Sequence, residues 1–157
     1  NRLIKKIDEL KESGIIQEDV IIQTGFSTYE PKHCQWSKLI PYQQMLRNVA
    51  DARIVITHGG PASFIMPLQI GKTPIVVPRQ HQFNEHVNDH QVEFARNVEK
   101  RMGTIILVED IEELGDVITN YDQLVAKMEH GLSSNNTQFN KKLEMLINSI
   151  FEGKYNE

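Results

Sequence analysis

The sequence predicts an α/β fold built on a Rossmann-like, doubly wound parallel sheet. About four buried strands alternate with amphipathic helices along the chain. Residues 54–56 and 75–77 are continuous β-branched runs, which is typical of parallel strands covered on both faces. Glycine follows predicted strands at Gly25 and Gly59, and open α/β sheets bind ligands at the carboxyl ends of their strands.

The first part of the chain predicts a helix, a strand and a second helix. Apolar residues recur at helical spacing from Leu3 to Leu10, and Gly14 ends that helix. Residues 20–23 predict a buried strand, and residues 33–36 allow a short one. A helix beginning at Pro41 then presents an apolar face made of Tyr42, Met45, Leu46 and Val49.

The second part continues the alternation after the strand at 54–56. Pro61 suits the first position of a helix, and Gly71 suits the left-handed residue that ends it. Asn84 is expected to cap a helix that runs to about residue 100. Further elements are expected as a strand over 104–108, helices over 111–119 and 121–130, and a last helix with the apolar stripe Phe139, Leu143, Leu146, Ile147 and Ile150.

A glycine turn separates the two strongest strands. Gly59 and Gly60 allow a tight turn, and Ser63 lies one turn into the following helix. The start of a helix gathers unpaired N–H groups and the positive end of the helix dipole, which together favour an anion such as phosphate. Two interpretations remain open here: an ordinary crossover turn, or an anion site.

Polar hydrogen-bonding groups are densest over residues 79–91. Glu85 with Asp89, and His86 with His90, are spaced four apart, so each pair is expected on one face of a helix. The sequence allows a solvated helix start, a polar ligand site or a metal site. The zinc-protease arrangement of two histidines with an adjacent glutamate is absent, so no metal is predicted.

Composition excludes several classes of protein. The chain has 157 residues, a formal net charge of −4 and no apolar run near the roughly 20 residues that span a bilayer. Nucleic acid is therefore not expected as a partner. The one cysteine, Cys34, excludes an internal disulfide and fits a reducing cytoplasm. The chain opens within a helix, so we expect native sequence before Asn1.

The loops together resemble the C-terminal, nucleotide-sugar-binding half of GT-B glycosyltransferases, and within these the glycosyltransferase family 28 C-terminal domain. The likeness extends to stand-alone subunits of two-subunit transferases, such as those of dolichol-linked chitobiose synthesis and of bacterial capsule and exopolysaccharide synthesis. It rests on the segments Gln23-Thr-Gly25, Ala50 to Gly60, Gly71-Lys-Thr-Pro-Ile-Val-Val-Pro-Arg79 and Glu85-His-Val-Asn-Asp-His-Gln91.

The resemblance implies roles for particular residues. His58, Gly59, Gly60 and Ser63 match the diphosphate-binding turn. For the base, His58 is adjacent and has a suitable pKa range, but a base from a partner subunit is favoured, because GT-B sites lie in a cleft between two α/β halves and one half is present here. The other implied ligand contacts are Thr24 and Gly25 closing over the diphosphate, Pro41, Tyr42 and Met45 at uracil, Arg79 facing the diphosphate, and Glu85, His86 and Asp89 at the sugar. Many relatives have a ribose-binding glutamate where this chain has Met66.

The resemblance also implies an inverting transfer of a hexose from a UDP-sugar to a lipid-linked saccharide, without a metal or other cofactor. The likeness to the bacterial capsule and exopolysaccharide subgroup implies that the hexose is galactose. Residues 1–130 would form the nucleotide-sugar-binding domain, and residues 131–157 a helix that packs on it or on a partner. That partner would be a membrane-associated, acceptor-binding subunit, which places the chain in the cytoplasm at the inner face of the membrane. The alternatives are a non-catalytic UDP-sugar-binding or regulatory subunit and, more remotely, a metal-dependent hydrolase.

Overall fold

The fold consists of parallel strands that alternate with helices. A computed structural model of the chain describes residues 1–132, 141–142, 144–145 and 148. Two parallel sheets are present in this part: strands β1 and β2 form one, and the other has the order β3-β4-β5. The strands are β1 (Ile21–Gln23), β2 (Gln35–Ser37), β3 (Ile56–Thr57), β4 (Ile75–Val76) and β5 (Ile106–Leu107). The predicted α/β fold class is confirmed.

Residues 1–132 contain six α-helices, three of them between strands and three before or after all the strands, and two 3-10 turns, His81–Phe83 and Ile111–Glu113. The helices are α1 (Arg2–Glu12), α2 (Tyr42–Asp51), α3 (Pro61–Gln69), α4 (His90–Met102), α5 (Leu114–Thr119) and α6 (Tyr121–Leu132). None of the helices in the described part is long and apolar enough to cross a bilayer.

Strand β4 is the centre of the packing because helices cover both of its faces. Ile75 and Val77 belong to a core shared with α1 and α5, whereas Val76 belongs to a second core shared with α3 and α4. All three side chains are completely buried. Successive side chains of a strand point to opposite faces, so this alternation puts a helical layer on each side of the sheet. The continuous β-branched run is thus explained.

Several predicted boundaries are confirmed. Helix α1 ends before Gly14, which has a positive φ of 79°. Pro61 is the first residue of α3, and Gly71 follows that helix with a φ of 75°, a backbone conformation that glycine adopts at little cost. The predicted short strand near residues 33–36 is present as β2.

Three predictions about local structure are wrong. Asn84 does not cap a long helix: it has a left-handed φ of 55° and ends the 3-10 turn, and α4 begins only at His90. Ile21 of β1 is 54% exposed, so the strand predicted over residues 20–23 is not fully buried. Tyr42, expected on a buried face of α2, is 66% exposed. The predicted last helix, with its apolar stripe, falls mainly outside the described residues.

A buried carboxylate in α1 organises the loop between β1 and β2. Asp8 accepts hydrogen bonds from the backbone amides of Lys32 and His33 and from the hydroxyl of Tyr29. Burial favours the neutral acid, but these hydrogen bonds stabilise the carboxylate more, and the pKa of Asp8 falls to about 2. Asp8 therefore remains ionised at all physiological pH values.

Candidate functional site

The glycine turn lies at the carboxyl end of β3, packed against the end of β4 and the start of α4. A Cβ added to Gly59 would lie 3.0 Å from Cβ of Pro78 and 3.1 Å from Cβ of Gln91. Any larger residue at position 59 would require Pro78 or Gln91 to move by a few tenths of an ångström. Gly60 differs, because a Cβ there would meet nothing closer than the Ser63 hydroxyl, at 3.7 Å. The two glycines therefore serve different purposes: Gly59 permits packing, and Gly60 leaves the surface over the turn open.

Backbone donors are unoccupied at this turn. Within the described residues, the amides of Gly59, Gly60 and Ala62 donate no hydrogen bond, whereas the Ser63 amide donates to the Gly60 carbonyl at 3.0 Å. In a parallel ladder, the next acceptor for the Gly59 amide would be the Val77 carbonyl. That carbonyl instead accepts from Nδ1 of His58 at 3.0 Å. The turn thus presents free N–H groups beside the N-terminus of α3, which is the arrangement that binds anions.

His58 is held in one orientation by this hydrogen bond. Because a carbonyl oxygen can only accept, Nδ1 carries the proton of the neutral ring, and Nε2 keeps a lone pair. Burial, the largest effect, lowers the pKa of His58; the hydrogen bond to Val77 opposes it, and the positive charge of Arg79 lowers the pKa further. The imidazole is therefore neutral at physiological pH and able to accept a proton at Nε2.

Ser63 points back into the turn. Its Oγ lies 2.6 Å from the Gly60 carbonyl and 3.0 Å from the His58 carbonyl, so the hydroxyl proton is donated within the turn. The side chain is exposed, and rotation about its Cα–Cβ bond would direct the hydroxyl toward a bound anion instead.

The loop over residues 79–89 is anchored to the same edge. The Arg79 amide donates to Oε1 of Gln91 at 3.1 Å, which ties the end of β4 to the start of α4. Glu85 is mostly buried and accepts from the Gln80 amide at 3.1 Å. It also accepts two hydrogen bonds from Arg2, at 2.9 and 3.0 Å. The structure thus places Glu85 beside the carboxyl end of β4.

His86 and Asp89 make their contacts within the loop. Nδ1 of His86 lies 3.1 Å from Oδ1 of Asn88, and Oδ1 of Asp89 accepts from the His81 amide at 2.8 Å. Because this stretch is not helical, the expected alignment of residues four apart is wrong. Among the residues that the structure describes, no group of three or more His, Cys, Asp or Glu side chains is arranged to hold a metal ion.

The loop after β1 differs from the glycine turn because its backbone amides at Thr24 and Gly25 are already hydrogen-bonded. The amides of Thr24 and Gly25 already donate to the carbonyls of Ser37 and Lys38, each at 2.9 Å. Gly25 has a φ of 57°, so the chain turns sharply there and leaves Phe26 fully exposed. Any direct contact of Thr24 or Gly25 with an anion would therefore not come from these two amides.

Residues 41–45 lie at the N-terminal end of α2, a helix that contacts α3. Pro41 is the N-cap residue. The exposed ring of Tyr42 and the half-buried Met45 provide an apolar surface next to the helix that begins at the glycine turn.

Sequence reasoning missed Arg2, Gln80 and Gln91. Gln80 is buried, and its side chain donates to the Glu109 carbonyl at 2.7 Å. No local pattern marks these positions, because each acts through a residue distant in the chain. The one available signal was Arg2 itself: a cation in the first turn of a helix is electrostatically unfavourable, which indicates a specific partner.

The family comparison agrees with this architecture. The family model described as the glycosyltransferase family 28 C-terminal domain matches residues 1–150, nearly the whole chain. No curated protein and no solved structure matches it. The family match indicates a glycosyltransferase, and the parallel α/β fold is that expected for the Rossmann-like C-terminal half of a GT-B enzyme. The chain belongs to the glycosyltransferase family 28 C-terminal domain family.

Proposed function

We propose that this chain binds a UDP-sugar and transfers its hexose, galactose, to a lipid-linked saccharide with inversion at the anomeric carbon. The proposed setting is capsule or exopolysaccharide synthesis. The observation that carries the donor assignment is the glycine turn, where the free amides of Gly59, Gly60 and Ala62 lie at the N-terminal end of α3. These groups match the negative charge of a diphosphate.

The first chemical requirement is stabilisation of the departing UDP. Charge grows on the diphosphate as the glycosidic bond breaks, and preorganised amides with a helix N-terminus stabilise it in place of a cation. Ser63 adds a hydroxyl donor after rotation, and Arg79, three residues beyond β4, adds positive charge. We therefore propose that no metal or other cofactor is required.

The second requirement is a base for the acceptor hydroxyl. His58 meets two of its conditions, because the ring is neutral at physiological pH and Nε2 carries a lone pair. A carboxylate or histidine of a partner subunit is the alternative base. Substitution His58→Gln in the assembled transferase separates these: a loss of turnover with unchanged UDP-sugar binding supports His58, and retained turnover supports the partner.

The remaining contacts with the UDP-sugar are assigned to three other segments of the chain. Tyr42 and Met45, with Pro41, would contact uracil through their exposed and half-buried apolar surfaces. Glu85 would accept a hydroxyl of the hexose, with His86 and Asp89 on the same loop. Thr24 and Gly25 would lie over the diphosphate. Their own amides, which already donate to Ser37 and Lys38, would not bind it.

A second subunit is proposed because the site is open. Large apolar side chains are exposed in the loops after β1 and β2 and at the start of α2: Phe26 fully, Leu39 to 79% and Tyr42 to 66%. A membrane-associated, acceptor-binding subunit would cover this surface, complete the cleft and hold the chain at the inner face of the membrane. Such a partner also supplies the lipid-linked acceptor.

Titration calorimetry of the full chain with UDP, UDP-galactose and UDP-glucose, each with Mg²⁺ or with a chelator, tests the donor assignment. We expect UDP and UDP-galactose to bind with affinities that the chelator leaves unchanged. Absence of binding by any uridine nucleotide would refute the assignment, and binding only with Mg²⁺ would refute the metal-free mechanism. Sugar transfer by the chain alone at the rate of the complex would refute the partner requirement.

A further inference from the structure

Arg2 begins α1 but binds a loop more than 75 residues away in the sequence. Its Nε and Nη2 lie 3.0 and 2.9 Å from the two carboxylate oxygens of Glu85, and Nη2 also donates to the Pro78 carbonyl at 3.1 Å. The two side chains are only 14% and 12% exposed. A two-pronged contact of this kind determines the orientation of a carboxylate as well as its position.

The same guanidinium also contacts the other side of the loop. Its central carbon lies 4.5 Å from the ring centre of Phe83, within the range of a cation–π interaction. The Gln80 amide donates to Oε2 of Glu85 at 3.1 Å. The loop is therefore held at Pro78, Phe83 and Glu85 by one side chain from α1.

These contacts have a cost in stability. Arg2 places a positive charge in the first turn of α1, where the helix dipole disfavours cations. Its third nitrogen, Nη1, is buried and has no hydrogen-bond partner within the described residues, and an unsatisfied buried donor is unfavourable. Violations of local rules of this kind are typical of positions retained for function.

The hydrogen bonds leave Glu85 able to accept one more donor. A carboxylate has about four lone-pair sites. Arg2 occupies one on each oxygen, and Gln80 occupies a second on Oε2. Burial raises the pKa of Glu85, but the Arg2 and Gln80 hydrogen bonds and the Arg2 charge lower it more. The group therefore remains an ionised acceptor, with its open position on Oε1.

We propose that Arg2 is a positioning residue for the donor sugar, which orients Glu85 so that Oε1 accepts a hydrogen bond from a hydroxyl of the hexose. This inference rests on the proposed function, since it assigns the substrate group that Glu85 contacts. Arg2 itself touches neither the nucleotide nor the sugar. Its effect should consequently appear in the binding of UDP-galactose and not in that of UDP.

The test compares dissociation constants for UDP and UDP-galactose among full-length variants that keep their circular dichroism spectrum. We expect Arg2→Gln and Glu85→Gln each to weaken UDP-galactose binding about fivefold or more, the value of one hydrogen bond, and to change UDP binding less than twofold. Because the two residues act together, the double variant should be no weaker than the weaker single variant. Arg2→Lys keeps the positive charge but not the two-pronged hydrogen bonding, so it should weaken UDP-galactose binding by an intermediate amount. This variant provides the test if Arg2→Gln does not fold.

Arg53→Gln is the matched control. Arg53 pairs with Glu18 and Asp122 and lies 5.9 Å from the ring of Tyr121, but it precedes β3 and so lies at the opposite edge of the sheet. This variant should leave both affinities unchanged.

The outcomes separate the inference from the proposed function. Equal weakening of UDP and UDP-galactose by Arg2→Gln would show a general structural role and overturn the inference, as would additive effects in the double variant. Wild-type binding of UDP-galactose with no effect of Arg2→Gln would overturn the inference alone. Failure of the wild type to bind either nucleotide would overturn the proposed function, and the inference with it.

Discussion

The glycine turn over residues 58–60 and the polar loop over residues 79–89 lie at the same edge of the sheet but are held by different kinds of contact. The turn is determined by its own backbone, by the start of α3 and by the close approach of Pro78 and Gln91 to Gly59. The loop depends on Arg2, which binds it at Pro78, Phe83 and Glu85.

We therefore expect the turn and the loop to bind different parts of the nucleotide sugar. A rigid turn with free amides suits a diphosphate, which is common to all nucleotide sugars. A loop positioned by one distant side chain suits the sugar, because its geometry can change without altering the diphosphate site. The comparison predicts that substitutions in the turn affect folding or all nucleotides, whereas substitutions around the loop affect the sugar alone.

The largest expected effect in the turn is that of Gly59→Val. Its Cβ would lie within 3.0 to 3.2 Å of Pro78 and Gln91, and overpacking of this kind costs roughly 1–3 kcal/mol, with valine toward the upper end. Urea denaturation measures the change in the free energy of unfolding. A stability equal to that of the wild type would show that the two segments separate easily and that the turn is not rigid.

Asp8→Asn tests a second contact made by α1, one that lies away from the proposed sugar loop. The pKa of Asp8 is about 2 against an ordinary value of 3.8, so the carboxylate contributes about 2 kcal/mol of stability. Because the folded-state pKa is the lower one, this contribution is complete above about pH 4 and is lost as the pH falls through 2.

We therefore expect Asp8→Asn to unfold at lower urea than the wild type at pH 7, with the gap closing as the pH falls from 4 toward 2. Affinities for UDP and UDP-galactose should not change in the folded variant. A gap that stays constant with pH would contradict the assignment of this stability to the ionised Asp8. A selective loss of UDP-galactose binding would show that α1 affects the sugar site through more than Arg2.

The smallest expected change in stability is that of Gly60→Val, although its effect on binding should be clear. A Cβ at Gly60 meets only the Ser63 hydroxyl at 3.7 Å, and the φ of −69° suits any residue. The branched side chain would instead lie over the free amides, so we expect about tenfold weaker binding of both UDP and UDP-galactose. Calorimetry compares the affinities of the variant and the wild type, with Gly60→Ala as the smaller control. Equal affinities would show that the diphosphate does not bind at the turn.

Much of the fold and of the turn could be predicted because their causes are local. The β-branched run at 75–77, the proline that begins α3 and the glycines at 14 and 71 act within a few residues, and each has the predicted effect. The run at 54–56 is confirmed in part, because β3 begins only at Ile56. Within this loop, the residues after Asn84 are predicted as the start of a helix, because Asn84 suits a cap and the four-residue spacings favour one. The backbone departs from a helix there, with Asn84 left-handed, and the bonds to Arg2, Gln80 and Gln91 hold the segment in that form.

The sequence by itself determined the α/β class, the glycine turn with its helix start and the likeness to the family that the match over residues 1–150 then established. Only the tertiary structure decided which donors stay free, that Nδ1 of His58 donates a hydrogen bond to the Val77 carbonyl, and that Arg2 holds Glu85. The physical reason is distance along the chain. Propensity and spacing describe neighbours in sequence, whereas a hydrogen bond between Arg2 and Glu85 exists only after the sheet has brought α1 and the end of β4 together.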